Sequence, residues 1–345
     1  MVIIMKKYDK PFCPFEELID LLQSKHGLTI GDRKLARSIL QAIPYYDLVN
    51  GYKDILMTND RYHSGIGLTD VFLMHAFDRD FQNALFEFSL CVEDYFKNIL
   101  SYVIADSFGV DESVYLAYKN YLVKKATHSK FEIRRDKILP IFRNIAMKSP
   151  DNPTRYYQLH HNHIPPWILM KNVTFSLSTN LLVLLKRPQK KQILDYMIPS
   201  ECPWDQRFPV LLYTLTVTRK CRNTIAHNLK FTSFSAKRYM NNLDKSVLRQ
   251  FISPTLLHDD ELNEMKYLDG IYGYIVLSLS IIPERVSKFL IVNRLFNLID
   301  THPFMTGNFQ QIGNEIKEMY FNGINVPLDF RERLTAYIKD LFLDN

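Results

Sequence analysis

Residues 69–108 read TDVFLMHAFDRDFQNALFEFSLCVEDYFKNILSYVIADSF. Val71, Phe72, Phe77, Phe81, Leu85, Phe88, Val92, Tyr95, Phe96, Ile99 and Tyr102 keep helical spacing with no proline between them, and Gly109 supplies a stop. The spacing predicts one very long helix or two nearly collinear ones. On its N-terminal side, Pro14 followed by Phe15, Glu16, Leu18, Ile19, Leu21 and Leu22 opens a helix that ends at Gly27. Asp32 is placed to cap a second helix, which runs through Leu40 and stops before Pro44. Tyr45-Tyr46, Val49 and Gly51-Tyr52 make an aromatic connection, and Ser64-Gly65-Ile66-Gly67 marks a boundary. The aromatics Tyr45, Tyr46 and Tyr52 are read as core packing at a turn in preference to a base-stacking platform.

On the C-terminal side, residues 117–148 are the most basic block, with Lys119, Lys124, Lys125, Lys130, Arg134, Arg135, Lys137, Arg143 and Lys148. Both a phosphate-tracking surface and an ordinary solvated helix face fit it, the second being the commoner fate of Lys and Arg. Pro150, Pro153, Pro165 and Pro166 make residues 149–166 an internal loop, and helix resumes at Trp167. His160, His161 and His163 in that loop lack a carboxylate or thiol at ligand spacing, so no metal site is expected. The uncharged stretches 172–185 and 270–283 fall short of the ~20 apolar residues that span a bilayer and read as buried helix. Further helix is expected over 211–227, over 265–299 on either side of Pro283, and over 311–320 and 329–343. The architecture expected is all-α: a small N-terminal helical unit, 1–66, a helical domain with insertions, 67–300, and a C-terminal helical extension, 301–345.

Eleven glycines in 345 residues, and no sustained alternation of apolar and polar residues, leave room only for short strands. A hydrophobic share of 47% supplies an ample core and excludes a disordered chain. The net charge of +6 favours an anionic partner without establishing one. Cys13, Cys91, Cys202 and Cys221 are scattered without a CxxC pair, as reduced thiols in a cytoplasm would be. The start, Val2-Ile3-Ile4-Met5 followed by lysines, has neither the length nor the order of a secretory signal, so a cytoplasmic, membrane-free location is expected.

The chemistry concentrates in one octad, Cys221-Arg222-Asn223-Thr224-Ile225-Ala226-His227-Asn228. On a helix at roughly 100° per residue, Arg219, Arg222, Asn223, Ala226 and His227 share an arc of about 140°, with small Ala226 leaving a gap for a phosphate between Arg222 and His227. Two and three turns earlier the same arc carries Leu211, Leu212 and Leu215, so an apolar face turns polar at its end. These residue types suit RNA cleavage without a metal, in which the substrate's own 2′-hydroxyl attacks and the protein moves protons and stabilises phosphoryl charge. An imidazole such as His227 transfers protons near neutral pH, Arg222 forks donors onto a phosphate, and Asn223 orients the ring or donates to an oxygen. The same side chains also fit a plain helix cap tied to a neighbouring segment. Arg155 with His160 and His161 has a similar spacing but no Asn and lies among prolines, as a coincidence of a loop.

The chain resembles the abortive-infection proteins of the AbiD/AbiF type, members of the HEPN ribonuclease superfamily, over residues 10–300. Lys10-Pro11-Phe12, the run from Tyr45 through Gly51-Tyr52, Phe77-Asp78-Arg79, Cys91-Val92-Glu93, Pro165-Pro166-Trp167 and Thr174-Phe175-Ser176 carry the resemblance in order. Arg222-Asn223-x-x-Ala226-His227 resembles the superfamily's nuclease motif, which implies a catalytic role for Arg222, Asn223 and His227. Glu93 and Lys97 match an acidic and a basic position on a preceding helix, although Lys97 stands where Arg is usual, and Ile324-Asn325-Val326-Pro327 only faintly matches the family's closing segment. The resemblance implies an all-helical HEPN-type bundle acting as a homodimeric, metal-independent endoribonuclease toxin against phage-infected bacteria, without a cofactor. It also implies a neutralising partner, with a small noncoding RNA as one candidate.

Supporting roles fall to Glu93, Lys97 and Arg219, and RNA-binding roles to Lys124, Lys125, Arg134, Arg135 and Lys230. A dimer that apposes two octads would supply a second proton-transfer group. The alternative is a non-catalytic RNA-binding or scaffold protein in which the same cations hold a regulatory RNA.

Overall fold

The computed structural model describes residues 12–126, 132–307 and 314–343. The expected features at residues 2–7, Lys10-Pro11, Lys130 and 311–313 lie outside the described residues, as does the side chain of Lys125. The fold is an all-α bundle whose longer helices are α1 (Phe15–Ser24), α2 (Arg33–Ala42), α3 (Leu68–Phe108), α4 (Arg135–Lys148), α5 (Phe175–Leu184), α6 (Arg187–Met197), α7 (Trp204–Ala226), α8 (Ile271–Ile281), α9 (Arg285–Thr301), α10 (Asn314–Gly323) and α11 (Phe330–Leu343). The long element is thus one unbroken helix. Strands among the described residues are confined to two antiparallel pairs, β1 (Met57–Thr58) with β2 (Arg61–Tyr62), and β3 (Lys124–Ala126) with β4 (Glu132–Arg134).

The chain divides into two compact units, Met1–Phe81 with Asn297–Ile324, and Gln82–Phe296 with Asn325–Asn345. Breaks at 66 and 300 follow local turn signals, whereas these units follow which distant segments pack together, so the two partitions differ.

In the first unit α1 and α2 pack on each other through Ile19, Leu22, Ala36, Ile39 and Leu40. The Asp32 carboxylate accepts from the amides of Lys34 (2.8 Å) and Leu35 (3.2 Å), a side-chain cap on α2 as its position predicts. Asp32→Ala is therefore expected to lower unfolding free energy by about 1 kcal/mol; an unshifted urea midpoint would show that this cap contributes nothing. Asp78, fully buried, accepts hydrogen bonds from the hydroxyls of Tyr52 (3.0 Å) and Tyr320 (2.8 Å). Tyr52 is accordingly a core residue, while Tyr46 stands on the surface. Around Phe77 gather the rings of Phe81, His302, Phe304, Tyr320 and Phe321, at centroid separations of 5.3 to 6.0 Å.

In the second unit α5 and α8, the two uncharged stretches, are buried on nearly every side. α7 packs against α6 and α8 through Val210, Leu211, Leu215 and Val217. It begins at Trp204, earlier than the periodicity suggests, and runs through Pro209. Pro209, sixth in the helix, has no main-chain N–H to give and forfeits one hydrogen bond, and the helix continues past it. The 149–166 segment is not wholly loop, because Thr154–His160 forms a short helix that starts directly after Pro153. That helix explains the histidines: His160 packs on the Tyr156 ring at 4.5 Å and His161 on Tyr157 at 4.2 Å, while His163 Nδ1 meets Asn162 Oδ1. Arg333 of α11 forks onto Glu261 at 2.6 and 2.8 Å, tying the last helix into this unit. No described helix is long and apolar enough to cross a membrane.

Candidate functional site

The octad lies where α7 ends. Within it Cys221, Thr224 and Ile225 are buried, Arg222 is half-buried, and Asn223, Ala226, His227 and Asn228 are exposed. Burial pushes the Cys221 thiol well above its ordinary pKa, so this cysteine is a packing residue. Main-chain groups cap the helix: the amide of Asn228, at φ 57°, bonds the Ile225 carbonyl, and the amide of Leu229 bonds that of Thr224. This is the Schellman arrangement, with Asn228 in the left-handed position that Asn tolerates better than most residues. Capping therefore leaves the Asn223 and His227 side chains unengaged, and neither makes a side-chain hydrogen bond among the described residues.

Along this end of α7 runs a groove of about 360 Å³ lined by Ser176, Thr216, Arg219, Lys220, Asn223, Thr224, His227, Leu229, Arg238 and Tyr239. Arg219, Asn223 and His227 succeed one another at four-residue steps and so form one row. Arg219 donates to Ser176 Oγ on α5 at 2.8 Å. The Lys220 ammonium donates to the Ser235 carbonyl and lies 5.0 Å from the Phe234 ring centre. Its pKa is lowered, first by burial and then by neighbouring Arg238. Arg238 in turn contacts the Tyr239 hydroxyl and ring. Three cations, an imidazole and an amide thus line the groove with no carboxylate among them, an arrangement that suits an anionic ligand.

Arg222 does not line that groove. Its Nε lies 3.6 Å from Glu93 Oε2, and Glu93 Oε1 is 2.6 Å from Lys97 Nζ, so α3 and α7 meet in one ionic cluster. Neither Arg222 Nε nor Glu93 Oε2 has a hydrogen bond. The structure thus brings Glu93, Lys97 and Arg222 together, and Arg219, Asn223 and His227 together, as two adjoining groups. The groove lies on the Arg219 side of the helix with neither Ala226 nor Arg222 among its lining residues, while Glu93 faces Arg222 on the other flank.

Four cations of the basic block, Lys124, Arg134, Arg135 and Arg143, have partners within the chain. Lys124 pairs with Glu132 at 2.8 Å and Arg134 with Asp136 through two 3.1 Å bonds. Arg135 donates to the carbonyls of Tyr118 and Tyr121, and Arg143 to that of Leu116. Lys230 is a correction, since it is only 7% exposed where the chain turns inward past Asn228. Conversely, Arg238, Tyr239 and Ser176 were not singled out from the sequence as groove residues. The triplet Lys237-Arg238-Tyr239, basic beside aromatic just after the octad, was the available signal for two of them.

Residues 38–232 match the sequence model of the Abi-like protein family. The match covers more than half of the chain and takes in Tyr52, Asp78, Glu93, Lys97 and the whole octad. No curated protein and no solved structure matches the chain.

Proposed function

This chain belongs to the Abi-like protein family, which connects it with abortive infection, and from that premise we propose that it is a HEPN-type endoribonuclease toxin acting in the cytoplasm of phage-infected bacteria. The observation that carries the reading is the groove at the end of α7, where Arg219, Lys220 and Arg238 surround Asn223 and His227 without a carboxylate. A phosphodiester seated there meets donors on several sides, and its 2′-hydroxyl meets an imidazole able to take the proton. The 2′-oxygen attacks phosphorus, the 5′-oxygen leaves, and a 2′,3′-cyclic phosphate results. Arg222 clamps a non-bridging oxygen once it turns from Glu93, to which no hydrogen bond holds it. This chemistry needs no metal. A homodimer apposing two octads is one source of a second proton-transfer group, and a noncoding-RNA antitoxin would occupy the same cations.

The placement of Arg222 outside the groove favours a second reading, a non-catalytic RNA-binding protein. One experiment separates the two. Chelator-treated protein is expected to cut an RNA oligonucleotide and leave its 2′-deoxy counterpart whole. Binding of the RNA without cutting supports the second reading, and cutting of the deoxy strand contradicts 2′-hydroxyl attack.

A further inference from the structure

We propose that Lys220 is the second proton-transfer residue of this groove, giving a proton to the departing 5′-oxygen while His227 accepts that of the attacking 2′-hydroxyl. The inference rests on the ribonuclease reading above and supplies within one chain what a dimer would otherwise have to supply.

Lys220 and His227 are seven residues apart, which on α7 places them about 20° apart around the axis and ~10 Å apart along it. Both line the groove, with Asn223 and Thr224 between them. A phosphate at the level of Asn223 is one helical turn from each, so base and acid flank phosphorus from opposite ends, as displacement of one oxygen by another requires. The other groove residues are poorer acids for this step. Arginine does not give up its proton, which sets aside Arg219 and Arg238, and the Tyr239 hydroxyl is in contact with Arg238. Lys220 lies over the Phe234 ring and gives one of its three N–H groups to the Ser235 carbonyl, leaving the others for the groove, and both its burial and Arg238 make its ammonium a stronger acid than an ordinary lysine. A donor moved toward the working pH is what general acid catalysis favours.

The step balances. The 2′-oxygen–phosphorus bond forms as the phosphorus–5′-oxygen bond breaks, the 2′-hydroxyl proton goes to His227, and a Lys220 proton goes to the 5′-oxygen. The imidazolium then returns its proton to water and the lysine amine regains one, leaving a 2′,3′-cyclic phosphate and a 5′-hydroxyl.

The test uses the full chain with ordinary RNA and with RNA whose scissile 5′-oxygen is replaced by sulfur, a leaving atom that needs no proton. Lys220→Arg keeps the charge but not the acidity. It is expected to cut ordinary RNA about 10²–10³-fold more slowly and the sulfur substrate at the rate of the unaltered chain, while His227→Ala stays slow on both. Recovery on sulfur also shows that the variant is folded. Two results overturn the proposal while leaving the ribonuclease reading intact: Lys220→Arg equally slow on both substrates, or not slowed on ordinary RNA. Failure of the unaltered chain to cut either substrate overturns that reading, and this inference with it.

Discussion

His227→Ala is expected to lower RNA cleavage by about 10²–10⁴-fold while leaving the chain as stable as before. The imidazole is exposed and makes no hydrogen bond among the described residues, and the turn that ends α7 is held by main-chain groups that alanine preserves. An exposed substitution of this kind changes stability by no more than about 0.5 kcal/mol. Only proton transfer is removed, so the loss falls on the rate of the chemical step and RNA affinity stays close to that of the unaltered chain. Single-turnover cleavage and a melting curve on the same preparation check both halves. A folded variant that cuts at the full rate would take His227 out of the chemistry.

The largest effect on stability is expected from Phe77→Ala, a loss of about 3–5 kcal/mol. Phe77 is fully buried and touches five aromatic rings, two of them on residues close to 320 in sequence, so the substitution opens a cavity where distant segments join. The cavity has little freedom to collapse. The adjacent residue, Asp78, holds Tyr52 and Tyr320 by their hydroxyls, and closing the gap would break those bonds inside the core. Urea denaturation followed by circular dichroism measures the loss, and a value below about 1 kcal/mol would mean that the aromatic cluster repacks freely.

Periodicity was informative where one helix buries a continuous stripe. Phe77, Phe81, Leu85, Phe88, Val92 and Phe96 are all fully buried on one helix, as their spacing predicts. The uncharged stretches became α5 and α8, and Asp32 became a cap, because each of these depends on residues close in sequence. What was not legible depends on residues far apart. A helical wheel gives the angle between Arg222 and His227, but not that Glu93, more than a hundred residues earlier, stands on the Arg222 flank. Nor does it bring Arg238 and Tyr239 back beside His227, since that return is made by a turn and a short 3-10 segment without periodicity. Lys230 read as a surface cation because lysine usually is one, and only the inward course of the chain after Asn228 buries it. Pro153 read as a breaker, yet it stands immediately before a helix start, where proline is tolerated.

The central claim is that the end of α7 cuts RNA through its own 2′-hydroxyl with His227 as the proton acceptor. The most direct measurement is mass spectrometry of the fragment ends after the full chain and His227→Ala have each met the same RNA in EDTA. The account predicts 2′,3′-cyclic phosphate and 5′-hydroxyl ends from the unaltered chain and intact RNA from the variant. Fragments ending in 3′-hydroxyl and 5′-phosphate, or identical cutting by both proteins, would contradict it.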